Sequence, residues 1–212
     1  MTEVGVSILS ADFSNLRPYI KKCEKVIDFI HMDIMDGNFV PNLTFGTPVI
    51  NSLRKITKLP FEAHLMVINP QIQWKWYLSS RRILFHIETV KEPEKLISHI
   101  KKAKKEVGIA LNPETSIKKI IPFLDRIDVA FLMGVSPGFA GQKFKRNVLK
   151  KIKNLRRIID AKNLNCKISV DGGINHRTAP LCLKAGADIL IASSFLAKDI
   201  AKRVRFLKNI KK

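Results

Sequence analysis

Apolar residues gather in eight short runs along this chain, at 4–9, 29–34, 61–66, 83–87, 107–111, 129–135, 167–170 and 188–192. The runs are rich in Ile, Val, Leu and Phe, and they do not alternate strictly with polar residues. Near-continuous apolar runs of this length suit strands buried on both faces of a parallel sheet. Between them lie longer amphipathic stretches, such as 93–105 and 147–161, with helical spacing. Repeated strand–helix alternation predicts βα units. Eight strands is the number that closes a small barrel, so the pattern predicts a single α/β domain over residues 1–212, a (β/α)8 or TIM barrel.

A doubly wound open sheet shows the same alternation. It normally carries a glycine-rich loop after an early strand. Here Ser10, Ala11 and Asp12 follow the first run, and no GxGxxG occurs. The glycines placed like functional ones come late, after the sixth and seventh runs, where barrels often hold phosphate.

Polar residues interrupt the C-terminal ends of the runs, which in a barrel face the active site. They are Ser7, His31, Asp33, His64, His86, Glu88 and Asp171. His31 and Asp33 are two apart on a strand, so their side chains share a face. Joined by His64 and Asp171, they make an N2O2 donor set suited to one divalent cation such as Zn, Fe, Mn or Co. A lone buried His is more often a hydrogen-bonded core residue. Four such groups at strand ends are harder to read as packing, because burying unpartnered carboxylates is costly. His86 and Asp36 read as supporting or turn residues, and His99 and His176 as surface residues.

Length and charge narrow the partners. The chain has 212 residues and carries 38 Lys and Arg against 18 Asp and Glu, a net +20. Such an excess fits a nucleic-acid or membrane-surface partner only if it is concentrated. The basic stretches 21–22, 101–105, 143–157 and 198–212 read as separate helices, so the charge is expected to be dispersed, with neither partner. No apolar run reaches the ~18 residues of a membrane span. Met1 to Val4 show no signal-peptide pattern. Cys23, Cys166 and Cys182 are scattered and expected to be reduced, buried thiols in a cytoplasmic protein.

Several segments resemble the ribulose-phosphate 3-epimerase family. They are SILSADF at 7–13, HMDIMDGNFVPN at 31–42, AHLMV at 63–67, Met133 with PGFAGQ at 137–142, and VDGGI at 170–174. They run in order across nearly the whole chain, and the stretch at 31–42 is the most specific. The resemblance implies that His31, Asp33, His64 and Asp171 bind the metal and that Asp33 and Asp171 are the acid/base pair. It implies a substrate site of Ser7, His64, Met35, Met66 and Met133. The phosphate would lie on Gly138, Ala140, Gly141, Gly172, Gly173, Ser193 and Ser194. The implied reaction epimerises C3 of a small-molecule sugar phosphate, D-ribulose 5-phosphate, in the pentose phosphate pathway, and a homo-oligomer is expected. The chain departs from the family pattern at Val6, Asn38, Gly134, Ala140, Ser193 and 78–82. An allulose-6-phosphate 3-epimerase remains open. So does a decarboxylase or synthase of the same superfamily, although that would carry a Lys near Asp33, and 31–42 has none. A non-catalytic basic nucleic-acid-binding protein is the alternative of another class. The intact Asp33 and Asp171 argue against it.

Overall fold

The computed structural model describes residues 2–197 and 199–211. Eight parallel strands pair in chain order and close on themselves: β1 (Glu3–Ser7), β2 (Phe29–Met35), β3 (Phe61–Met66), β4 (Arg82–His86), β5 (Glu106–Leu111), β6 (Val129–Met133), β7 (Lys167–Asp171) and β8 (Ile189–Ala192). The helices among the described residues are α1 (Leu16–Cys23), α2 (Thr47–Arg54), α3 (Pro70–Gln73), α4 (Pro93–Lys102), α5 (Val148–Ala161), α6 (Ala179–Ala185) and α7 (Ile200–Lys208). This is the expected (β/α)8 barrel.

Strand parity divides the core in two. On β2, Ile30, Met32 and Ile34 face outward into the large cluster shared with the helices. Phe29 faces inward, where it joins Leu84, Ala110, Val129, Phe131, Ile189 and Ile191 to fill the barrel. Both faces are dry, which is why the runs read as continuous rather than alternating. Helix α5 buries Val148, Ile152, Leu155 and Ile159, a spacing that keeps one stripe on the sheet.

Several boundaries differ from the sequence expectation, each for a local reason. The first run stops being a strand at Ser7, because the Ser7 hydroxyl accepts the Leu9 N–H and starts a 3-10 turn at Ile8–Ser10. The sixth strand ends at Met133 rather than at residue 135, as the Gly134 carbonyl accepts from Lys145 N–H in the following loop instead of from a neighbouring strand. The stretch 93–105 is helical only to Lys102, and Lys104 turns left-handed at φ 57. Between β5 and β6 there is no α-helix, only 3-10 turns at Ile117–Lys119 and Ile121–Phe123.

The basic stretches are also less uniformly helical than expected. Lys143 and Lys145 lie in the loop before α5, where Lys145 pairs with Glu114 at 2.7 Å. In 198–212, Lys198 and Lys212 fall outside the described residues. Exposed Lys21, Lys22, Lys101, Lys102, Lys150, Lys153, Lys202 and Arg205 sit on α1, α4, α5 and α7, so these charges are spread over separate outer helices. No helix among the described residues is long and apolar enough to cross a membrane.

Candidate active site

Register places the polar strand ends together. His31 pairs with Glu62, Asp33 with His64 and Met35 with Met66 across β2 and β3, while Met133 pairs with Asp171 across β6 and β7. Inward parity and barrel curvature then bring four donors within 4.8 Å of one another: His31, Asp33, His64 and Asp171. His31 Nε2 lies 3.2 Å from Asp33 Oδ1, 3.3 Å from His64 Nδ1 and 3.9 Å from Asp171 Oδ2. His64 Nδ1 is 3.3 Å from Asp33 Oδ1. Ligands at ~2.0–2.2 Å around one tetrahedral ion sit roughly 3.3–3.6 Å apart, so the cluster has the right size. Two ring nitrogens and two carboxylate oxygens converge on one point, a donor set that suits a cation. The residues present therefore fit a divalent ion.

Each histidine is braced from behind. His31 Nδ1 lies 2.7 Å from Glu62 Oε1, a carboxylate oxygen that can only accept. Nδ1 therefore carries a hydrogen in either protonation state, which leaves Nε2 as the atom that would bind a cation once its own proton is displaced. Glu62 Oε2 accepts from Arg82 Nη1 at 2.6 Å, and Arg82 Nε donates to Glu106 Oε2 at 2.7 Å. Behind His64 the chain is longer. Its Nε2 is 2.9 Å from His86 Nε2, and His86 Nδ1 is 3.2 Å from Glu88 Oε2. Donation along this path ends on Glu88, which leaves His64 Nδ1 free to face the cluster. The Phe131 ring stacks on His31 at 5.6 Å and tilts against His64 at 4.7 Å, an apolar floor beneath both.

Glu62 and Arg82 were not among the sequence candidates. Their signal was present: Glu62 shares parity with His64 inside an apolar run, and a buried carboxylate there needs a partner. His86 and Asp36 do support the site. Asp36 Oδ1 accepts the N–H groups of Asn38 and Phe39, and its Oδ2 accepts that of Ile68, which ties the loops after β2 and β3. His99 and His176 are exposed, with His176 on the pocket rim. All three cysteines are buried and free.

The two carboxylates at the centre are pushed apart electrostatically. Burial raises both. At Asp33 it is outweighed by His31 and His64, so Asp33 is held well below the usual carboxylate range. At Asp171 burial is reinforced by the neighbouring Asp33 charge and lifts the group to about 7. Burial disfavours charge on His31, but Asp33 and Glu62 more than offset it and hold its proton well above the usual range. His64 falls to about 4, through burial first and then repulsion from the other histidines. A bound cation would lower Asp171 and displace the His31 proton, because positive charge favours the unprotonated forms.

Above the cluster opens a cavity of about 490 Å³. Ser7, Met35, Met66 and Met133 line it beside Asp33 and Asp171, and Gly138, Ala140, Gly141, Gly172, Gly173, Ser193 and Ser194 line its rim. His64 is fully buried beneath and does not line it. Ser7 Oγ donates to Asp33 Oδ2 at 2.6 Å. Gly172 N–H is committed to Asp171 Oδ1 at 2.7 Å. Among the described residues, the N–H groups of Gly141, Gly173, Ser193 and Ser194 have no acceptor within the chain. Ser193 does not have positive φ, so it fits the loop without backbone strain. Its hydroxyl is 2.7 Å from Ser10 Oγ and 3.1 Å from the Ser7 carbonyl, and it accepts from Ser10 N. Gly134 also has a reason. A Cβ there would lie 2.5 Å from the Gly172 carbonyl oxygen, so no side chain fits between the β6 and β7 loops.

Fold and site together define a (β/α)8-barrel enzyme whose strand ends converge on a buried four-donor cluster that could hold a metal ion. The profile of the Ribulose-phosphate 3 epimerase family matches residues 3–197, and the chain belongs to that family. It is 44% identical to a ribulose-phosphate 3-epimerase of Methanocaldococcus jannaschii, over 100% of this chain and 90% of that protein. It is 41% identical to a Bacillus subtilis ribulose-phosphate 3-epimerase over 92% and 91% of the two chains. It is 36% identical to an Arabidopsis thaliana chloroplastic ribulose-5-phosphate-3-epimerase over 99% and 77%. Among solved structures, 3-hexulose-6-phosphate synthase from Salmonella typhimurium superposes with a TM-score of 0.71 at 16% identity, covering 99% of this chain and 98% of that one. At that identity the likeness concerns the fold alone.

Proposed function

We propose that this chain interconverts D-ribulose 5-phosphate and D-xylulose 5-phosphate by moving the C3 proton between two carboxylates, Asp33 and Asp171. The observation that carries the reading is the four-donor cluster lying directly under a methionine-lined cavity, in a member of this family. His31, Asp33, His64 and Asp171 would hold one Zn, Fe, Mn or Co ion, whose Lewis acidity polarises the ketone when bound.

The chain's own groups do the rest. Asp33 stands on β2 and Asp171 on β7, three strands apart around the barrel, so they approach a substrate from different sides. Asp33 Oδ1 and Asp171 Oδ2 face the donor cluster. The other oxygens, Asp33 Oδ2 beside Ser7 Oγ and Asp171 Oδ1 beside Gly172 N–H, are left to take and return protons. One carboxylate removes the C3 proton, an enediolate forms, and the other delivers a proton to the opposite face. Met35, Met66 and Met133 exclude water and add no competing donor. Free N–H groups at Gly141, Gly173, Ser193 and Ser194 suit the phosphate, which must reach the rim when the reacting carbon sits over the cluster.

The reading extends to the whole chain as one barrel domain and to a cytoplasmic homo-oligomer without a nucleic-acid partner. The free buried cysteines support the compartment and the dispersed lysines the lack of a nucleic-acid partner, while the homo-oligomer rests on the family resemblance alone. The deciding experiment is a coupled epimerase assay on protein reconstituted with each of the four metals, with ribulose 5-phosphate and allulose 6-phosphate in parallel. Ribulose 5-phosphate is expected to have the higher kcat/KM. A preference for the hexulose phosphate would reassign the substrate, and inactivity on both would remove the epimerase reading.

A further inference from the structure

Register links the catalytic end of the barrel to its floor. Ser7 pairs with His31, His31 with Glu62, Glu62 with Arg82, and Arg82 with Glu106, one residue from each of five neighbouring strands. All five side chains are polar. Strands tilt in a closed barrel, so such a row descends from the C-terminal mouth toward the N-terminal end. Ser7 closes β1 at the top, while Arg82 and Glu106 open β4 and β5 at the bottom.

Arg82 is the unusual member. It is among the largest fully buried side chains, 2% exposed. Its guanidinium grips Glu62 at 2.6 Å and Glu106 at 2.7 Å, with Glu3 at 3.7 Å. A buried ion pair of this kind is a poor source of stability, since well-packed apolar residues of the same volume usually serve as well or better. An apolar pair could not fix the hydrogen of His31. The two Glu62 oxygens are divided, one to Arg82 and one to His31 Nδ1, so the fork that holds the carboxylate plane also sets the His31 ring.

We infer that Arg82 is a positioning residue for the cation site: acting from the barrel floor through Glu62, it aims His31 Nε2 at the metal. This rests on the cation-site reading given above. Neighbouring Arg81 supplies the comparison. It pairs with the same floor carboxylates, Glu3 at 2.7 Å and Glu106 at 3.4 Å, but its side chain is one-third exposed and, among the described residues, it makes no ion pair with Glu62.

The test is a Co²⁺ titration of the chelator-stripped full chain, followed by its visible absorption band, with thermal unfolding run on each variant. Arg82→Met is expected to weaken Co²⁺ binding by up to ~10–100-fold, the range for disturbing the outer partner of a ligating histidine, here Glu62, and to shift the band because the His31 ring reorients. In the reconstituted enzyme kcat should fall while KM stays near wild type. Arg81→Met, which removes floor ion pairs only, should bind Co²⁺ as the wild type does. If Arg82→Met does not fold, Arg82→Lys decides. It keeps the charge but cannot grip two carboxylates as a fork, and it should lose affinity in the same direction. Wild-type Co²⁺ affinity and spectrum in a folded Arg82 variant would overturn the inference, as would an equal loss in Arg81→Met. A wild-type chain that takes up no Co²⁺ would instead remove the cation-site reading itself.

Discussion

The two halves of the barrel mouth are built from different materials. From β1 to β4 the site is made of side chains: Ser7, His31, Asp33, His64 and His86 project from strands whose register and parity aim them. From β6 to β8 the polar groups come mostly from backbone, with the Met133 and Phe131 side chains supplying apolar surface: Gly141, Gly173, Ser193 and Ser194 offer N–H groups from loops. Asp171 is where the halves meet, a β7 side chain that enters the donor cluster of the other half. Side-chain chemistry needs rigid strands behind it, as Glu62 and Glu88 illustrate. Backbone chemistry needs close-packed loops, as Gly134 illustrates.

The most severe test falls on the meeting point. Asp171→Asn should leave the fold intact and lower kcat by roughly 10²–10⁴-fold, the range for losing a positioned proton carrier. Metal content measured alongside separates loss of the proton carrier from loss of a ligand. Near-normal turnover would end the two-carboxylate mechanism. The second test uses pH. Asp171 and His31 both hold protons above their usual ranges, and a cation must displace them. Cation affinity should therefore fall as pH drops below about 7, the value to which Asp171 is raised. The slope should be up to tenfold per unit for each proton displaced. Co²⁺ titrations between pH 5.5 and 8 would read it, and a flat profile would contradict the proton-holding roles.

The backbone half should respond to changes of shape more than of chemistry. Gly134→Ala places a Cβ 2.5 Å from the Gly172 carbonyl and 2.8 Å from the Phe144 ring. Overpacking of this kind costs about 1–3 kcal/mol. A lower melting temperature with a raised KM is expected, since the β7 loop must shift. The smallest effect is expected from Ser193→Ala. The hydroxyl ties the β8 loop to Ser7 and Ser10, and losing such bonds costs about 0.5–1.5 kcal/mol of stability. KM should change little, because the phosphate is assigned to N–H groups. A large KM increase with unchanged stability would show that this side chain contacts substrate and would blur the division between the halves.

Local pattern was enough for much of this. Eight buried runs gave the strand count, and the two-residue spacing of His31 and Asp33 placed both on one face, because parity is a property of the strand alone. The ends of the elements were less legible, since they depend on single contacts such as the Ser7 hydroxyl on Leu9 N–H. The missing helix between β5 and β6 was also hidden. Short 3-10 turns there bury Ile120, Phe123 and Leu124 as effectively as a helix stripe would.

What the sequence determined by itself was which residues could act: the inward faces of the strands, the four donors and the glycine-bearing loops. Tertiary structure decided which of them touch. Closure and tilt of the barrel set Glu62 beside both His31 and Arg82, carried His86 to 2.9 Å from His64, and turned the Ser193 hydroxyl to Ser7 and Ser10. The reason is that periodicity fixes only the direction of a side chain from its own strand. The stagger between strands, which chooses its neighbours, is fixed only when all eight strands close and pack together.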